Sequence, residues 1–405
     1  MSEQLSRSHT RIIGFADAEL DFQLLRQLGS ATFGGASIGE SLWAASRIRD
    51  SGLESWPDAF ASLGNSQQRD AEQRAAAGHP VSAYDVYLMA SNSYRAAEYF
   101  APVEGARHRQ LGLLSRDAFR AAMALSGWSF EPLEITVDGQ QLAGYWFAPP
   151  QPRNGRVVLA TSGFDGTLEE TYLQLGVAAL QRGWQVLLVS GHGQMDTLRL
   201  NPHTYFVPDT ERWISPWLDV AVSQRGVDES RLALVGISFG GYFVLRAASV
   251  DDRISAVIPN SPVVDLRAYM TSFVGFDPEV ALTAEDDFGL ADIDAMPDEE
   301  VSPTQKEMSR SLIRRFGQPT FRGTFTYLRE FQVDSSRIRR PALAMVGEGE
   351  GPEPLSQFER FASTAGGPVT RRVFTAEEGA DSHCQVGNLR LSNAVMFDWL
   401  EETFS

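Results

Sequence analysis

Between Arg231 and Ser249 the chain reads RLALVGISFGGYFVLRAAS. Ser238 stands between Gly236 and Gly240, where an apolar run gives way to a helical pattern. A strand that turns sharply into a helix strains its turn residue, and the flanking positions must lack side chains to avoid collision. The hydroxyl is then held at the carboxyl end of a sheet and at a helix N-terminus, which is the geometry of a nucleophile. The alternative is a glycine-rich turn whose serine does no chemistry. A serine hydroxyl attacks poorly unless a base takes its proton. Of the six histidines, His383 alone lies between the last strand pattern and the closing helix, in EEGADSHCQVGN.

The acid that would orient His383 is open among several carboxylates. PALAMVGEGEGPEP ends the preceding strand with glutamates. Gly347-Glu348-Gly349-Glu350 overlays a G-x-x-D pattern, which favours Glu350, with Glu348 and Glu353 next. Asp381, beside the histidine, and an aspartate from the stretch at about 265–340 are weaker choices. A tetrahedral intermediate also needs backbone donors. These are expected from Phe239, after the serine, and from Phe164 in TSGFDGTLEE. Gly163 and Asp165 of that loop, His192 of SGHGQ, and the aromatics Tyr269 and Phe273 are candidate substrate contacts, and Phe276 could extend the aromatic wall. Thr167 to Glu170 has capping-box spacing, so Glu170 reads as structural. Cys384 reads as a small, partly buried thiol.

These residues need a frame. Residues 1–127 read as a helical N-terminal or cap domain. VSAYDVYLMASNSYRAAEYF carries Tyr84, Tyr87, Tyr94 and Tyr99, largely at helical spacing, with a capping-box pattern at Ser82 and Asp85. Ser115 reads as the N-cap of a shorter helix. From Trp128 the pattern changes. SFEPLEITVDGQQLAGYWFAPP is two alternating runs joined by Asp138-Gly139, a hairpin signal. Apolar runs then alternate with helical segments, which predicts a mostly parallel sheet covered on both faces. The alternation stops at about 265–340, an acidic, aromatic-dotted stretch that reads as a lid insertion within the 128–405 core.

The formal net charge of -17 would repel phosphate backbones and argues against nucleic-acid binding. The start, MSEQLSRSHTRIIGF, has no apolar core of signal-peptide length. No apolar run approaches the roughly 20 residues that span a bilayer. The one cysteine cannot form an internal disulfide. A soluble, cytoplasmic protein with no membrane partner is expected. HExxH and HxH pairs are absent, so neither a metal nor a cofactor is expected.

The helical block with GHPVSAYDVYLMASNSYRAAEYF, the loop SGFDGTLEE, the turn SGHGQ, the elbow GISFGGYFVLRAA and the terminal HCQ together resemble one branch of the α/β-hydrolases. That branch carries an N-terminal helical domain. It takes in 2,6-dihydroxypseudooxynicotine hydrolases, fungal polyketide chain-shortening hydrolases and fermentation-respiration-switch esterases. The resemblance runs from about residue 30 onwards. It implies an α/β-hydrolase fold and a Ser-His-acid triad acting on an ester or on a carbon–carbon bond beside a carbonyl. It also implies a small carbonyl substrate of polyketide or aromatic character, and a homodimer with its active site between core and helical domain. On the matching positions Ser238 is the nucleophile, His383 the base, and Phe164 and Phe239 the oxyanion donors. The order Ser238, Glu350, His383 is the order of this family. Two departures stand out: SGHGQ replaces the usual GPGQ, and a glutamate stands where an aspartate is usual. The same triad would serve a cyclase or an acyltransferase if an internal or second nucleophile captured the acyl-enzyme, and it could also promote elimination of an acyl group. A ligand-binding module without chemistry is the remaining reading.

Overall fold

The computed structural model describes residues 8, 12, 14–49, 53–150, 155–272, 283, 289–299 and 301–405. Five helices open the chain: α1 (Ala18–Gly29), α2 (Ile38–Ala45), α3 (Ser55–Ala76), α4 (Pro80–Tyr99) and α5 (Ala106–Leu125). Asp17 caps α1 by accepting from the N–H groups of Glu19 and Leu20. The α4 and α5 helices begin earlier than Ser82 and Ser115 suggest. Pro80 occupies the first turn of α4, where its missing N–H costs nothing and its fixed φ suits the helix. Ser115 lies buried within α5 and donates to the Ser91 carbonyl of α4 at 2.8 Å. The α3 helix was not expected, because its polar run SQQRDAEQR hides a narrow buried stripe of Trp56, Phe60, Leu63, Gln67 and Ala71. Gly64 admits α4 at close range, since a Cβ there would lie 2.8 Å from the Tyr94 ring.

Eight strands follow: β1 (Ser129–Val137), β2 (Gln140–Ala148), β3 (Val157–Thr161), β4 (Gln185–Val189), β5 (Leu232–Ile237), β6 (Ala256–Asn260), β7 (Ala342–Gly347) and β8 (Val369–Phe374). Their order in one sheet is β1-β2-β4-β3-β5-β6-β7-β8. The β1–β2 and β2–β4 pairs are antiparallel, and the other five are parallel. Asp138 and Gly139 turn the β1–β2 hairpin with φ of 50° and 76°, the left-handed pair that such a tight turn needs. The strands β3 to β7 are buried along their whole length, as parallel strands covered on both faces must be.

The covering helices are α6 (Leu168–Thr171), which continues through a π-turn at Tyr172–Gly176 into α7 (Val177–Gln181), then α8 (Met195–Leu200), α9 (Glu211–Ser223) and α10 (Gly240–Ala248), with α15 (Pro352–Thr364) and α16 (Leu389–Thr403) after the insertion. The insertion between β6 and β7 carries α11 (Leu266–Thr271), α12 (Leu290–Ala295), α13 (Pro303–Arg315) and α14 (Phe321–Tyr327). Ser302 and Gln305 close a reciprocal capping box at the start of α13. The insertion is anchored rather than loose. Phe316, Phe321, Phe325 and Phe331 are buried in the same cluster as one face of the sheet. Each such ring contributes about 1.5–3 kcal/mol of burial. The opposite face shares a cluster with the N-terminal helices, where Phe119 of α5 stacks on Tyr145 of β2 at 5.4 Å between centroids. Among the described residues no helix is long and apolar enough to cross a membrane.

Candidate active site

The elbow after β5 is built by close approach. Ser238 has a φ of 61°, in the left-handed region that a serine adopts only under constraint. A Cβ on Gly236 would lie 2.1 Å from the Gly240 carbonyl oxygen, and one on Gly240 would lie 2.8 Å from the Thr161 and Ser162 carbonyl oxygens. Gly241 belongs to the same constraint, although the pattern around Ser238 did not single it out: its Cβ would meet the Ser261 carbonyl oxygen at 1.9 Å. The Gly241 N–H donates back to the Ser238 carbonyl at 2.8 Å, closing the turn into α10.

His383 lies on a single helical turn, His383–Gln385, whose Cys384 and Gln385 also have positive φ. Its Nε2 is 2.8 Å from Ser238 Oγ and its Nδ1 is 2.6 Å from Glu350 Oε2. Glu350 ends a 3₁₀ turn, Glu348–Glu350, directly after β7. The Gly347 N–H donates to its Oε1 at 2.8 Å, and the Ser261 hydroxyl donates to its Oε2 at 2.9 Å. A Cβ on Gly347 would lie 2.2 Å from the Asp381 carbonyl oxygen, so glycine there lets the acid and histidine loops touch. Burial of the imidazole works against its charged form. The adjacent Cys384 sulfur and the Glu350 carboxylate outweigh burial and raise the His383 pKa.

The other carboxylates considered face elsewhere. Glu348 accepts from the Ala376 N–H at 2.7 Å, Glu353 accepts from Gln357 Nε2 at 2.8 Å, and Asp381 accepts from the Ser8 hydroxyl at 3.2 Å. His192 is a correction. It is buried beside the β1–β2 turn, where Asp138, Asp209 and Arg212 are its charged neighbours. Neither of the clefts described at Ser238 includes it, and Gly193, with a φ of 78°, turns the chain between it and Gln194. Phe273 and Phe276 lie outside the described residues.

The loop after β3 lies against the elbow. A Cβ on Gly163 would stand 2.6 Å from the Phe239 nitrogen and 2.9 Å from Ser238 Cβ, so the glycine provides clearance and not a side-chain contact. Gln194 was not anticipated, although SGHGQ was. Its Nε2 donates to the Ser162 and Gly163 carbonyls at 2.7 and 3.3 Å, and its Oε1 accepts from the Gly191 N–H at 2.6 Å.

Among the described residues, two clefts meet at Ser238 and His383. One is apolar, formed by Phe164, Phe239, Tyr269, Met270, Met308 and Leu312. The other is mixed and carries charged side chains, with Phe22, Arg26, Asp165, Glu170 and Gln174 on its walls. Phe22 and Arg26 come from α1, in a part of the chain that no motif marked as functional. The Phe22 ring packs 6.4 Å from the His383 ring, and Gly29 lets α1 approach the Val386 carbonyl. Arg26 Nε donates to Glu170 Oε1 at 2.6 Å, its NH1 lies 3.2 Å from Asp165, and Arg95 is 3.7 Å from Glu170. Thr167 does cap the helix, accepting from the Glu170 N–H at 3.2 Å, but the Glu170 side chain leaves the cap for the two guanidiniums. Burial favours its neutral form, yet Arg26 and Arg95 hold its pKa below the usual value. Among the described residues no group of three or more His, Cys, Asp or Glu could hold a metal ion.

Residues 213–287, which include the elbow, match the prolyl oligopeptidase family, Peptidase_S9. Over 96% of this chain and 97% of the relative, the sequence is 30% identical to Hydrolase LUC6 of a Fusarium species. It is 36% identical to 20-hydroxy-prefusarin hydrolase FUS2 of Gibberella moniliformis, over 62% of each chain. Among solved structures, the 2,6-dihydroxy-pseudo-oxynicotine hydrolase superposes with a TM-score of 0.70 at 21% identity, covering 93% of this chain and 95% of that one.

Proposed function

Because the chain belongs to the α/β-hydrolase family, we propose that it is a serine hydrolase in which Ser238 is the nucleophile, His383 the general base and Glu350 the orienting acid. The observation that carries this reading is the unbroken hydrogen-bonded line from Ser238 Oγ through both ring nitrogens of His383 to Glu350, with spans of 2.8 and 2.6 Å. In this mechanism His383 takes the Ser238 proton as the hydroxyl oxygen attacks a carbonyl carbon. The oxyanion forms beside the N–H groups of Phe239 and Phe164. His383 then returns its proton to the leaving oxygen or carbon. Water attacks the acyl-enzyme by the same route and frees Ser238.

The two clefts support a substrate class. A wall of Phe164, Phe239, Tyr269, Met270 and Leu312 suits an aromatic or polyketide-like acyl portion, and the Arg26–Asp165–Glu170 side suits a polar, uncharged portion. The bond cleaved is an ester, or a carbon–carbon bond whose carbanion is stabilised by a neighbouring ketone or electron-rich ring. Relatives named as hydrolases of 20-hydroxy-prefusarin and of 2,6-dihydroxy-pseudo-oxynicotine support a multifunctional small molecule rather than a peptide.

A fluorophosphonate probe tests the nucleophile. Wild-type protein should gain one phosphonyl group on the peptide containing Ser238, and the Ser238→Ala protein should gain none while keeping its circular dichroism. Labelling that persists in Ser238→Ala, or none in folded wild type, would sink the assignment.

A further inference from the structure

The insertion between β6 and β7 reaches the loop beside Ser238 through Arg315, the last residue of α13. Its side chain is 2% exposed, and among the described residues no carboxylate lies within ion-pair distance of it. Burial pushes its pKa down to about 10, against the weaker pull of Asp165 and Glu98. A buried cation is costly unless its donors are satisfied. Arg315 satisfies them largely on main-chain carbonyls. Its Nε donates to the Gly193 oxygen at 2.9 Å, and one terminal nitrogen donates to the Phe164 oxygen at 2.7 Å and also to Gly193. The other terminal nitrogen lies 3.4 Å from Met195 Sδ. The guanidinium lies over the rings of Phe164 and Phe206, 4.8 and 5.0 Å from their centroids.

Phe164 is the residue whose N–H faces the oxyanion in the reading above. That N–H shares a rigid peptide plane with the Gly163 carbonyl, which Gln194 Nε2 holds at 3.3 Å. The next plane carries the Phe164 carbonyl, which Arg315 holds. Both planes flanking Phe164 are therefore gripped, one from the turn after β4 and the other from the insertion. With each plane held, the φ and ψ of Phe164 are pinned together. Arg315 also joins Phe164 to Gly193, so the loop after β3, the turn after β4 and α13 share one side chain.

We propose that Arg315 is a positioning residue: it fixes the direction of the Phe164 N–H and so completes the oxyanion hole only when the insertion is docked. The proposal rests on the serine-hydrolase reading, and its test is chosen to separate the two. The readouts are the second-order rate of fluorophosphonate labelling and the turnover of p-nitrophenyl acetate by the full-length protein, for wild type, Arg315→Met and Arg315→Lys.

A misplaced oxyanion donor costs on the order of 10²-fold. Arg315→Met should lose about that much in both labelling rate and kcat, with KM changed less than about two-fold. The pH inflection of labelling should stay where it is, because His383 and Glu350 are untouched. Arg315→Lys, whose single ammonium cannot bridge both carbonyls in the same geometry, should fall between the two, and added guanidinium ion should restore part of the Arg315→Met rate.

A folded Arg315→Lys protein that labels at the wild-type rate overturns the proposal, and it decides alone if Arg315→Met fails to fold. A shifted pH inflection in either variant also overturns it, by tying Arg315 to the base. If wild type is not labelled, the nucleophile reading falls and this proposal with it. If wild type and both variants label equally, only this proposal falls.

Discussion

At Glu350, one methylene longer than the aspartate usual in this position, the acid is shortened by its backbone. The 3₁₀ turn Glu348–Glu350 folds the side chain back on its own loop, so that Gly347 donates to one oxygen and Ser261 and His383 meet the other. An amide at this position keeps the volume but loses the charge. Glu350→Gln should therefore lower kcat by about 10³–10⁴-fold, because the imidazole loses its orienting partner. Glu348→Gln, whose carboxylate instead accepts from Ala376, should stay within about two-fold, allowing for an ordinary surface effect. The pH profile gives an independent check. In the proposed mechanism the neutral imidazole is the base, so kcat/KM should rise as His383 loses its proton. Its pKa is raised, so the inflection should lie above the ordinary histidine value and move down in Glu350→Gln. An inflection that does not move would separate Glu350 from the titration of His383.

The helices α1, α4, α6 and α8 meet through buried charge. Glu170 of α6 receives Arg26 from α1 and Arg95 from α4, and Arg199 of α8 is shared by Glu98, Glu169 and Asp196. Removing one partner of such a pair leaves an uncompensated buried charge and costs about 3–5 kcal/mol. Arg26→Leu should show a loss at or below the low end of that range in urea unfolding, since Arg95 still lies 3.7 Å from Glu170. Arg26→Leu combined with Glu170→Leu should cost less than the sum of the two single changes, the mark of a direct pair. The Arg199 cluster predicts a pH effect. Burial and the neighbouring Glu169 and Glu98 carboxylates raise the Asp196 pKa against the pull of Arg199. Between its unfolded and folded pKa values the folded state holds a proton that the unfolded chain has lost. Stability then falls as pH rises through that window, and Asp196→Asn should flatten the slope of Tm against pH. A slope unchanged in Asp196→Asn would assign it to other groups.

The N-terminal helices and one face of the sheet share a packed core. Phe119, Met123, Tyr87 and Leu88 of the N-terminal helices are buried in one cluster with Tyr145, Phe147 and Tyr172 of the sheet layer. A shared core couples the unfolding of its two sides. Calorimetry should therefore give one transition, and a chain cut to residues 128–405 should be insoluble or unfolded, because the cut uncovers that cluster. Two resolved transitions, or a soluble and cooperative 128–405 fragment, would contradict the coupling. The insertion is tied in by the same logic on the other face, through Phe316, Phe325 and Phe331.

The sequence alone determined what depends on local pattern. Strand order in the chain, the hairpin at Asp138-Gly139, the elbow around Ser238 and the insertion after β6 were legible because periodicity, turn residues and glycine spacing are short-range properties. They also pointed to Glu350 and His383, without deciding between Glu350 and its neighbours. Only the tertiary structure decided which glutamate meets the imidazole, since a difference of two residues within one tight turn sends each carboxylate to a different partner. It also placed His192 beside the β1–β2 turn and Gln194 against the loop after β3, since the chain bends between them at Gly193, whose φ is 78°. Arg26 and Arg315 carry no local signal. Their roles arise from main-chain and carboxylate contacts across 122 to 151 residues of chain, distances at which neither spacing nor residue type reports a neighbour.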